Sequence, residues 1–118
     1  MTSSPTGRLS LMSLERNWRD IEHFLAGLEG LRLRHEPRGR RWSVRNRLVA
    51  RQVDEATLLI RADFEPREDL LNEHPNTFWM RPELEAHMKV LADVSDGDIA
   101  AVCAALRAAW AMQRGDVD

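Results

Sequence analysis

From Leu31 to Ala62 apolar and polar residues alternate with a period of two, and this pattern restricts the fold more than any other feature of the chain. Leu31 and Leu33 alternate with Arg32 and Arg34; Trp42 and Val44 alternate with Arg41, Ser43 and Arg45. Side chains on a strand point to opposite faces in turn, so one apolar parity means a sheet with one packed face and one wet face. Arg38-Gly39-Arg40 reads as a loop tip, Asn46 as a left-handed turn before Leu48-Val49-Ala50, and Asp54-Glu55 as a turn into Thr57-Leu58-Leu59-Ile60. Connections this short join antiparallel neighbours, since parallel strands need long crossovers. From Leu48 to Val53 the parity blurs, which requires either a bulge or cover on both faces.

Helical periodicity brackets this meander. Leu14, Trp18, Ile21, Leu25 and Leu28 form one apolar stripe, with Ser13 as the expected cap and Gly27 and Gly30 at the end. Pro66 suits the first turn of a short acidic helix from Phe64, which Pro75 stops. Thr77-Phe78-Trp79-Met80 is a short apolar run. His87 to Ala92 alternates as a last strand, the expected cross-strand partner of Trp79. Ile99, Val102, Cys103, Leu106 and Trp110 make the stripe of a final helix capped by Ser95, with Asp98 as an imperfect capping box. Cys103 lies mid-stripe and reads as a core residue rather than a nucleophile. The expected fold is α+β: a two-layer, mostly antiparallel sheet packed by N- and C-terminal helices. A single domain spans 13–114, between a flexible leader at 1–12 and a tail at 115–118. At 118 residues such a domain buries a sufficient core without staples.

Charge is unevenly spread. The formal net charge is −2, yet residues 31–51 carry eight arginines against the single acid Glu36, a local charge of +7. Residues 52–118 carry six basic and fourteen acidic side chains. Arginine outnumbers lysine sixteen to one, with Lys89 alone, as a composition bias would produce; bias does not explain eight arginines in 21 residues. A basic segment beside an acidic body suits an anionic partner. One cysteine excludes an internal disulfide, Met1 to Gly7 is small and polar, and no apolar run approaches the ~20 residues that cross a bilayer. The expectation is a cytoplasmic protein with no membrane partner.

The order of landmarks resembles the MmcQ/YjbR-like family of small bacterial α+β proteins. The residues that carry the likeness are Leu28-Glu29-Gly30-Leu31 at the helix corner and the hairpin strand from Trp42 to Ala50. Leu59-Ile60-Arg61, Leu70-Leu71 before Pro75, and the last helix with Trp110 near its end complete it. The likeness covers roughly residues 14–112. It departs from the family pattern at Glu29, where proline is usual, in a 45–47 turn without glycine, and in having no tyrosine. The resemblance implies a compact sheet flanked by helices, likened to a double-wing DNA-binding arrangement.

For nucleic acid, Arg32, Arg34, Arg41 and Arg45 share the outward parity of two adjacent strands, with Arg38 and Arg40 at the loop between them. A two-stranded ribbon fits the major groove, and guanidiniums suit phosphates and guanine edges. Trp42 lies on the other parity, which favours duplex backbone contact over single-strand stacking. The competing reading is a solvated face paired to Glu65, Glu68 and Asp69. For protein partners or self-association, Phe78, Trp79 and Met80 have the composition of an interface centre, or else close the end of the core. His23, His35, His74 and His87 lack paired ligand spacing, and Asp93 to Asp98 departs from a calcium loop, with glycine fifth and Ala104 twelfth, so no metal is expected. No nucleophile elbow, P-loop or dinucleotide fingerprint is present, so no cofactor and no catalysis are expected.

Overall fold

The computed structural model describes residues 4–115, with side chains from residue 11 onward. Residues 1–3 of the expected leader and 116–118 of the expected tail lie outside the described residues. The elements are α1 (Ser4–Ala26), β1 (Arg32–Glu36), β2 (Gly39–Val44), β3 (Arg47–Asp54), β4 (Thr57–Arg61), α2 (Phe64–Glu73), β5 (Phe78–Trp79), a 3-10 turn (Pro82–Leu84), β6 (Lys89–Asp93) and α3 (Ile99–Arg114). The six strands form one antiparallel sheet in the order β1-β2-β3-β4-β6-β5. The expected α+β architecture holds, with the N- and C-terminal helices packed against the sheet.

One parity of strand residues meets the helices. Trp42, Val44, Ala50, Leu58, Ile60, Val90 and Ala92 form a single buried cluster with Trp18, Ile21 and Leu25 of α1 and Val102, Leu106 and Ala109 of α3. Leu59 and Leu91 are also buried, at 3% and 1% exposure, but lie outside that cluster, on the opposite parity. Both terminal helices therefore cover the same side; the other side is open at β1, where residues 32–35 are exposed, but covered at Leu59 and Leu91. Polar side chains lock the layers in place. Trp18 Nε1 donates to the Glu55 carbonyl at 2.7 Å, and Asn17 Nδ2 donates to the Val94 carbonyl at 2.8 Å. These bonds tie α1 to the ends of β3 and β6.

The blurred parity of β3 is a pair of bulges. Trp42 faces Ala50 and Ser43 faces Leu48, so Val49 is an extra residue; Gln52 faces Leu58 and Asp54 faces Thr57, so Val53 is another. A bulge places two residues opposite one and adds local twist. Val49 and Ala50 are both fully buried as a result.

Two helix boundaries differ from expectation. α1 begins at Ser4, so Ser13 lies inside it; Pro5 falls in the first turn, where its missing N–H costs nothing. The cap of α3 is Asp98, which accepts from the Ala101 N–H at 3.2 Å. Ser95 instead donates from its hydroxyl to Asp93 at 2.6 Å, closing a local turn. The loop between them is tight: a Cβ on Gly97 would fall 2.2 Å from the Asp93 carbonyl oxygen, so only glycine fits. Cys103 is half-buried, and burial together with the nearby Asp20 carboxylate pushes its thiol pKa up, which keeps it protonated and unreactive.

Candidate nucleic-acid interface

One line of register partners crosses the sheet on the face away from the terminal helices, open at its arginine end and buried at Leu59 and Leu91. Arg34 faces Arg41, Arg41 faces Arg51, Arg51 faces Leu59, Leu59 faces Leu91, and Leu91 faces Trp79. The three arginines occupy the β1–β3 half, and Leu59, Leu91 and Trp79 the β4–β6–β5 half. Arg32, two residues before Arg34 on the same parity, faces Ser43. Neighbouring strands lie about 4.8 Å apart, so the three register-matched guanidinium stems stand within about 10 Å. Like charges placed opposite one another destabilise a sheet. Among the described residues none of Arg32, Arg34, Arg41 and Arg51 has an ion-pair partner.

The six arginines expected in the ribbon separate into three groups. Arg32, Arg34 and Arg41 stand together on the open face as expected. Arg38 is exposed at the β1–β2 turn, beside Gly39 and Arg51. Arg40 and Arg45 leave the ribbon. Arg40 faces His35 on the parity of Trp42, and so points to the helix side. There its guanidinium lies 4.9 Å from the Trp18 ring centroid and 5.2 Å from that of Trp42, and it pairs with Glu22 of α1. Gln52 Oε1 accepts from its Nε at 3.2 Å. Arg45 sits in the β2–β3 turn at φ 54°, followed by Asn46 at 63°, because a two-residue hairpin turn of this kind needs positive φ at both positions.

Arg51 was not among the residues singled out by alternation. The bulge at Val49 resets the parity, so a count carried through Leu48-Val49-Ala50 misplaces it; the broken alternation itself was the signal. Glu65, Glu68 and Asp69 do not clamp the basic face. They are exposed on α2, which packs against β5 and β6 at the far end of the sheet.

The apolar run 78–80 is divided by the sheet. Phe78 is 1% exposed and belongs to the core, and Met80 packs against that core. Only Trp79, half-buried on the edge strand β5, reaches the open face, where it pairs with Leu91 as expected. Among the described residues no group of three or more His, Cys, Asp or Glu is placed to hold a metal ion, and no helix is long and apolar enough to cross a membrane. Comparison with family models, curated proteins and solved structures gave no match.

Proposed function

We propose that this chain is a small cytoplasmic, non-catalytic domain of the MmcQ/YjbR-like kind that binds duplex DNA through its backbone. Arg32, Arg34, Arg41 and Arg51 on the open face make the contacts. The observation that carries this reading is the register of Arg34, Arg41 and Arg51: three like charges side by side, without a carboxylate partner among the described residues. A duplex supplies one negative charge per about 1.7 Å of axis, so a phosphate array offsets a repulsion that the folded chain leaves standing. Arginine is suited to this work because its planar fork meets phosphate oxygens two at a time. Contacts confined to phosphates carry no base information, so unrelated sequences bind alike.

A titration with random-sequence duplex at two or more salt concentrations tests the proposal. Four phosphate contacts give a slope of log K against log salt of about −3.6. The double variant Arg34→Glu with Arg41→Glu abolishes binding. Unchanged affinity in that variant removes the open face as the binding surface.

A further inference from the structure

The sheet has two edges, and they are protected differently. β5 ends it with two residues, too short to template another strand. β1 ends it with five, and residues 32–35 are exposed. Neither proline nor a bulge interrupts β1, whose register with β2 is regular from Arg32 to Glu36.

Which of its backbone groups are free follows from one hydrogen bond. Arg40, opposite His35, turns its N–H away from β1 and donates to Gln52 Oε1 at 3.3 Å. The pair of His35 and Arg40 is therefore of the non-bonded kind. Bonded and non-bonded pairs alternate along an antiparallel ladder, so Leu33 and Trp42 are a non-bonded pair as well. The N–H and C=O of Leu33 and His35 thus point out from the sheet edge. Among the described residues neither makes a backbone hydrogen bond outside the ladder.

Side chains at this edge determine what can dock. On the helix side Leu33 is 48% exposed, beside a cleft of about 310 Å³ lined by Leu25, Ala26, Leu31, His35 and Trp42. The two charged residues of the cleft, Glu22 and Arg40, already pair with each other. On the other side Arg32 and Arg34 have no ion pair among the described residues, and Glu36 follows them on the same parity. A second copy added in the antiparallel register centred on Arg34 would set that arginine against its twin, and like charges directly opposite destabilise a sheet. Acids opposite Arg32 and Arg34 reverse the sign.

We propose that β1 accepts an extended acidic segment of another protein as a seventh, antiparallel strand of the sheet. Carboxylates at alternate positions meet Arg32 and Arg34, and a basic residue faces Glu36. The apolar side chains between them enter the cleft beside Leu33. Main-chain bonds to Leu33 and His35 supply affinity, and the alternating side chains supply selectivity. This inference does not rest on duplex binding, although both surfaces use Arg32 and Arg34.

The test is NMR of the full chain with the end-blocked peptide Ser-Lys-Val-Glu-Val-Glu-Ser. Chemical shifts along β1 move saturably, and the Leu33 and His35 amides, fast to exchange with solvent in the free chain, become protected. A peptide N-methylated at both valines, whose N–H groups pair with β1, does not bind; this control leaves the protein untouched. Leu33→Pro loses the peptide yet keeps the fold and duplex binding, because proline is tolerated where the N–H of an edge strand faces solvent. Arg32→Gln with Arg34→Gln weakens peptide binding about fivefold, the loss of two cross-strand charge pairs. Arg41→Glu with Arg51→Glu loses duplex and leaves the peptide bound, so the two surfaces fail separately. Equal binding of the methylated peptide, or of Ser-Glu-Val-Lys-Val-Lys-Ser, overturns the proposal. So does protection of Leu33 and His35 that grows with protein concentration in the absence of peptide, which assigns the edge to a second copy.

Discussion

Arg67 and Arg34 are the same residue in opposite circumstances. Arg67, on α2, is 7% exposed, with its guanidinium 4.9 Å from the Phe64 ring. Nη1 donates to the carbonyls of His87 at 2.6 Å and Leu84 at 3.2 Å, and Nη2 to Glu85 at 3.2 Å; Nε alone finds no partner among the described residues. It holds the 84–89 segment to the rest of the fold. Arg34 is exposed and faces another arginine. Arg40 lies between them in kind, pressed against two indoles with a carboxylate at hand. Arginine content alone therefore says little about a binding surface. What separates scaffold from site is whether the fold itself completes the hydrogen bonds of the guanidinium.

Substitutions can break or sharpen this contrast. Arg67→Met has the largest effect, about 3 kcal/mol of lost stability in urea unfolding, because the Leu84, Glu85 and His87 carbonyls lose the charged donor that a buried guanidinium supplies. A loss under about 1 kcal/mol would mean that the 84–89 segment finds other partners, and the contrast with Arg34 would collapse. Arg40→Ala costs about 1–2 kcal/mol through lost stacking and stem packing. Glu22→Gln costs less, under about 1 kcal/mol, since that carboxylate is 43% exposed. Arg34→Gln and Arg41→Gln leave stability unchanged or raise it by a few tenths of a kcal/mol, because relief of like-charge repulsion outweighs lost contacts. The same two variants weaken duplex binding. A stability loss comparable to that of Arg40→Ala would place them with the scaffold.

The smallest effect is the pH response of Cys103. Its thiol pKa is raised above the ordinary 9.0 in the folded state. Its contribution to stability is therefore complete below about pH 9 and fades as pH rises through the folded value. Denaturation midpoints between pH 7 and 10 fall slightly in the natural chain and lack this component in Cys103→Ala. Alkylation at neutral pH is slow for the same reason.

Much of the fold could be read from residue spacing, because period and turn chemistry are local. The meander, the pairing of Trp79 with the last strand, and the apolar side of α1 all follow from which residues recur at two or at three and four. What spacing could not place was the meeting of distant parts. Arg40 has strand-tip chemistry in the sequence, and only the approach of α1 turns it inward to Glu22. Ser95 and Asp98 both have cap chemistry; Asp93, reached through the tight Gly97 loop, takes the Ser95 hydroxyl and leaves Asp98 to the helix. Arg45 was misplaced because a turn with two positive φ values was expected to lean on Asn46 alone. Phe78 and Trp79 are adjacent in sequence yet serve opposite faces, so treating them as one patch could not survive strand geometry.

The extra residues in β3 also determine how this strand tolerates changes of length. Without Val49, Leu48 and Ala50 would become direct neighbours while still pointing to the sides they occupy now, and the same holds for Gln52 and Asp54 without Val53. Removal of Arg51, between the two offsets, would leave Ala50 next to Gln52 and force one of them through the plane of the sheet. A single missing codon in this strand is thus mild or ruinous according to where it falls.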